Sequence, residues 1–139
     1  MSFREKSAWA MALLMTATGA FYAWQVVSLS RALGETAPPL AAWLPYAFLV
    51  VVGAIVAQAV LAALSPREAG SPADERERQI QLKAGAWSGV VLAIGAVGAL
   101  MTYLPHGDGR LLFHLVAASL IAAQIAEYAI AIVLFRRGV

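Results

Sequence analysis

Glu127 is the one ionisable carboxylate well inside a long apolar run, the stretch 111–135. An acid at that depth costs on the order of 2.5–3.5 kcal/mol on insertion scales, which makes it a candidate functional group by default. Gln124 lies one turn before it and Tyr128 directly after it, and Gln58 stands in another apolar run. Two chemistries are open to this polar set. Glu127 could carry protons, or it could be a protonated structural acid bonded to Gln58 or to a threonine of a neighbouring helix. Gln25 and Gln58 suit interhelical hydrogen bonds, while Thr16 and Thr18 can satisfy themselves on their own helix backbone.

Other chemistries have little to build on. The chain has no cysteine, which removes disulfides, thiolate metal sites, iron–sulfur clusters and thiol nucleophiles. His106 and His114 are the only histidines. Without an acid cluster they make a weak metal or haem ligand set, and interface hydrogen bonding is their expected use. No metal and no cofactor are expected. No nucleophile–base set is present either, so the expectation is a protein that is not an enzyme.

The elements that must hold these residues follow from composition. Of 139 residues, 61% are hydrophobic and 13% charged, far from the about 45–50% and about 25% of a soluble domain. Mean hydropathy is +0.74. Four nearly uncharged runs, at 8–29, 40–64, 84–104 and 111–135, each exceed the roughly 20 residues that cross a bilayer as helix. The expected fold is an all-α membrane protein, a single domain over 1–139, with four transmembrane helices arranged as two hairpins. Pro38-Pro39 closes the first connection, and Pro105-His106-Gly107-Asp108-Gly109 makes the other a tight turn.

Orientation follows from Lys and Arg. Arg4, Lys6, Arg67, Arg76, Arg78, Lys83, Arg136 and Arg137 fall on one side of the four runs, and only Arg31 and Arg110 on the other. The positive-inside rule then puts both termini and the linker 65–83 in the cytoplasm. Trp9, Trp24, Trp43, Tyr46, Trp87 and Tyr103 sit near run ends, where interfacial anchorage is the expected use.

The linker carries two helix-start patterns, Ser65-Pro66-Arg67-Glu68 and Ser71-Pro72-Ala73-Asp74. Each reads as a capping Ser, a Pro at the first helical position and an acid in the first turn. The second should begin the third helix near Pro72 and run without a break into the apolar stretch. Its charged residues, Arg67, Asp74, Glu75, Arg76, Glu77 and Arg78, form either a solvated collar or a partner-docking surface. Acids and bases balance there, so the run offers nothing to nucleic acid. In the third run, Gly85, Gly89, Ala93 and Ala96 recur on one helical face and predict close helix packing, within the chain or across a homodimer.

Several border motifs resemble those of a family of small uncharacterised bacterial inner-membrane proteins with four spans. These are the opening Phe3-Arg4-Glu5-Lys6-Ser7-Ala8-Trp9, then Ser65-Pro66-Arg67-Glu68-Ala69, Asp74-Glu75-Arg76-Glu77-Arg78-Gln79-Ile80, and the tail Phe135-Arg136-Arg137-Gly138. The resemblance implies a multi-pass protein of the inner membrane, no catalytic residue, and a membrane-bound partner for a cytosolic regulator. The leading expectation is a non-enzymatic scaffold or partner-binding subunit meeting a cytosolic protein through the linker and tail. The alternative is a small, dimeric, proton-linked transporter or channel using Glu127.

Overall fold

A computed structural model of the chain describes residues 2–66, 70, 72 and 74–137. Four helices account for nearly all of them: α1 (Phe3–Leu33), α2 (Pro39–Leu64), α3 (Glu75–His106) and α4 (Gly109–Arg137). Each is long and apolar enough to cross a membrane. Among the described residues there is no strand.

The helix ends are set by local chemistry. Ser2 caps α1 by accepting the Glu5 N–H at 3.3 Å, and Gly34 closes the helix at φ 70°, a left-handed conformation that favours glycine. Pro39 supplies a pre-set φ to the first turn of α2. The third helix begins at Glu75, later than the expected start near Pro72, because Asp74 is itself the cap: its Oδ1 accepts the Glu77 N–H at 2.7 Å. Ser71 and Arg67 lie outside the described residues. Gly107, at φ 64°, ends α3 through a 2.7 Å bond from its N–H to the Tyr103 carbonyl. Asp108 then caps α4, its Oδ1 taking the Arg110 and Leu111 N–H groups at 2.9 and 3.2 Å.

The helices pair as two hairpins, α1 with α2 and α3 with α4, joined chiefly where α1 packs on α4. Arg4 of α1 meets Glu77 of α3, so the hairpins run side by side in the same sense, with their free ends together. At this terminal end a cluster of Ala8, Ile80, Ala84, Ala131 and Ile132 is buried. At the loop end the buried cluster is Tyr22, Ala42, Tyr46, Ala117 and Ile121. Large apolar side chains such as Leu13, Phe48, Ile55, Leu82, Ile94 and Leu104 point outward, an arrangement suited to hydrocarbon solvent.

Small residues make the seams, but not those singled out above. Gly89 and Ala93 are exposed, and a Cβ built on Gly85 or Gly89 would meet nothing within 4 Å. Gly89 and Ala93 therefore do not pack within the chain, while Gly85 and Ala96 are half-buried. Ala84, Ser88 and Ala99 are buried instead, one helical position away from the expected stripe, and Gly95 lies against Ser119 of α4. A Cβ on Gly19 would stand 2.7 Å from Ile121, and one on Gly53 2.7 Å from Leu14. Backbone proximity at these points fixes how α1, α2 and α4 fit together.

Candidate functional site

Near the terminal end, between the two hairpins, lies a cavity of about 350 Å³. Its polar wall is made by Arg4 and Ser7 of α1, Gln58 of α2, Gln81 of α3, and Glu127 and Tyr128 of α4; Phe3, Ala8, Ala84, Ala131 and Phe135 complete it. Every helix contributes. The volume is near the lower bound of about 300–1,000 Å³ typical of small-ligand pockets.

Several of these polar groups are held by a neighbour. Gln58 Nε2 donates to Ser7 Oγ at 2.8 Å, tying α2 to α1. The Arg4 guanidinium is paired with Glu77, Nε to Oε2 at 2.9 Å. Ser88 Oγ donates to the Gly85 carbonyl at 3.0 Å and lies 3.4 Å from Glu127 Oε2. The Ser88 proton is shared, with the Gly85 carbonyl as the nearer acceptor and the Glu127 carboxyl as the farther one. Among the described residues no ion pair holds Glu127.

The structure thus brings Glu127, Tyr128 and Gln58 to one cavity and turns Gln124 away. Gln124 is exposed, on the outward strip of α4 that also carries Leu120, so it does not belong to the cluster. Arg4, Ser7, Gln81 and Ser88 were not anticipated. Ser88 had a visible signal, a hydroxyl near the start of an apolar run. Gln25 behaves differently from Gln58: its buried Oε1 has no hydrogen-bond partner among the described residues. Thr16 and Thr18 bond back to the Ala12 and Leu14 carbonyls, both at 2.7 Å.

The expected docking set is largely engaged within the chain. Asp74 caps α3, Glu77 holds Arg4, and Arg76 donates to the Phe135 carbonyl at the end of α4 at 3.2 Å. Glu75 and Arg78 are exposed. Arg136 lies over the Trp9 ring, 5.2 Å from its centroid.

Comparison with protein-family models, curated proteins and solved structures finds no match for this chain.

The loop end shows how the histidines are used. His114 is buried on α4; its Nε2 bonds the Ala37 carbonyl at 2.9 Å, and its Nδ1 lies 2.7 Å from the Tyr22 hydroxyl. A carbonyl only accepts, which assigns the ring proton to Nε2 and leaves Nδ1 to accept from Tyr22. No nitrogen is left for a metal. His106 is exposed and bonds the Thr102 carbonyl of its own helix at 2.9 Å. Nearby, Thr36 Oγ1 donates to Asp108 Oδ2 at 2.5 Å. Arg110 reaches back to Glu35 at 2.7 Å and the Thr36 carbonyl at 3.2 Å. The Thr36 bond first, then those from Leu111 and Arg110, hold the Asp108 carboxyl below the usual carboxylate range.

Proposed function

We propose that this chain is a multi-pass inner-membrane protein that works through Glu127 as a small proton-linked transporter or channel rather than as an enzyme. Both termini and the linker lie in the cytoplasm in this proposal, on the strength of the Lys and Arg asymmetry. The cavity is then a vestibule at the cytoplasmic end. One juxtaposition supports proton linkage: a carboxyl on an apolar helix, free of any ion pair among the described residues, opens into a polar cavity between two hairpins. Gly85, Gly89 and Ala93 on the outward face of α3 leave room for the second copy that a dimeric form needs.

The chain reconstituted in vesicles with an entrapped pH dye should pass protons down an imposed gradient. Glu127→Gln, which keeps shape and hydrogen bonding, should abolish that flux. Equal flux in the two proteins would refute the assignment of Glu127.

A scaffold role draws support from the exposed Glu75 and Arg78 and from the basic tail Arg136-Arg137. Exchanging those linker charges, Glu75→Arg with Arg78→Glu, would abolish co-purification of a cytosolic partner if docking is the function and leave proton flux untouched if it is not.

A further inference from the structure

We propose that the vestibule takes a small organic monocation, a primary or substituted ammonium, with Glu127 as its counter-ion. The proposal rests on the vestibule being the working site and adds the class of solute it holds. Two charged side chains line the cavity, Arg4 and Glu127. The positive one is matched by Glu77 at 2.9 Å, while the negative one, in no ion pair among the described residues, lies 3.4 Å from the Ser88 hydroxyl. The excess charge at the wall is therefore negative when Glu127 is ionised.

The remaining walls suit the same ligand. Phe3, Tyr128 and Phe135 border the cavity, and aromatic faces attract a cation that has shed water. Gln58, with its Nε2 committed to Ser7, keeps its carbonyl oxygen as an acceptor for an ammonium N–H. An anion would be repelled by Glu127, and the one cation among the described lining residues, Arg4, is already paired. A neutral apolar solute would cover the amides and the carboxyl without pairing them, which is costly. The volume of about 350 Å³ admits a one-ring amine.

Titration calorimetry of the purified full chain with benzylammonium, benzyl alcohol and benzoate tests it. Benzylammonium should bind at least about tenfold more tightly than its neutral analogue. Benzoate should not bind, and Glu127→Gln should reduce benzylammonium to the level of the alcohol. Equal binding of alcohol or benzoate, or no effect of Glu127→Gln, would overturn the proposal. The ligand series on the wild-type chain decides the question of charge even if the variant fails to assemble. Loss of ammonium selectivity with proton flux intact rejects the cation and keeps the vestibule as a proton path. Absence of both binding and flux rejects both.

Discussion

Gly95→Ala and Gly89→Ala change the same helix by the same methyl group and should move stability in opposite directions. At Gly95 the new Cβ would stand 2.6 Å from Ser119 Cβ and 3.4 Å from its Cα. Carbon atoms settle at about 3.5–4.0 Å, so α3 and α4 must part locally by about 1 Å. Ser119 cannot swing aside cheaply, because its hydroxyl is bonded to the Leu115 carbonyl at 2.8 Å. Overpacking of this kind costs about 1–3 kcal/mol, against which alanine recovers up to about 1 kcal/mol of helix propensity. The expected net loss is about 1–2 kcal/mol. At Gly89 a Cβ meets nothing within 4 Å, and only the propensity gain remains. Unfolding in mixed detergent micelles, followed by tryptophan fluorescence, should therefore separate the two variants by about 2 kcal/mol. If Gly89→Ala were the damaging change and Gly95→Ala harmless, the α3–α4 seam would lie on the opposite face and the packing described above would be refuted.

Further outcomes are expected at the loop end and in the orientation. His114→Phe fills the ring volume but leaves the Ala37 carbonyl and the Tyr22 hydroxyl without their partner, a loss of about 2 kcal/mol or more in the same unfolding assay. Unchanged stability would mean that this pair does not hold the hairpins. Asp108 has a lowered folded pKa, so its bonds add stability above its unfolded value near 4, and that stability fades as pH falls through the lower folded value. Amide exchange at Arg110 and Leu111 should accelerate in that acid range in wild type, and Asp108→Asn should remove the pH dependence. The chain has no cysteine, so a single one at Gly107 should react with an impermeant thiol reagent in intact cells while one at Ser2 stays shielded; the reverse pattern would overturn the orientation.

The four helices could be read from the sequence because their causes are local. Apolar run length sets each span, whereas the exact ends are less legible: Asp74, expected as a first-turn acid behind Ser71, is itself the cap of α3. Glu127 could also be recognised, since depth in an apolar run is a property of one segment. Tyr128 and Gln58 could be named with it, but Arg4, Ser7, Gln81 and Ser88 could not, because they depend on the angular register between helices. In runs this rich in Gly and Ala, the stripe Gly85, Gly89, Ala93 and Ala96 looks as good a seam as Ala84, Ser88, Gly95 and Ala99. The choice is made by close contacts such as Gly95 with Ser119 and Gly19 with Ile121, partners far apart in sequence. The same register turns Gln124 outward and brings Ser7 and Gln81 to the cavity. The charged linker follows the same division: the Asp74 cap is local, while Arg76 and Glu77 find partners, the Phe135 carbonyl and Arg4, that only the folded ends supply.

The two ends of the bundle are held together by different means, and the difference bears on how a vestibule could open. At the loop end the hairpins are joined by Thr36 with Asp108, Arg110 with Glu35 and the Thr36 carbonyl, and His114 with Tyr22 and the Ala37 carbonyl. Two of these bonds involve the buried His114, where breaking a hydrogen bond leaves a polar group without water to replace it. At the terminal end the ion pair of Arg4 with Glu77 spans the same gap, part-exposed on both sides, beside small apolar contacts of Ala8 with Ile80 and Ala84. A part-exposed pair of that kind is worth about 0–1 kcal/mol. Arg136 over the Trp9 ring adds an exposed-side contact there, so the polar ties between the hairpins are buried at the loop end and part-exposed at the terminal end. Under the proposed function the vestibule would open at this end, with the loop-end bonds as the fixed points about which the hairpins part.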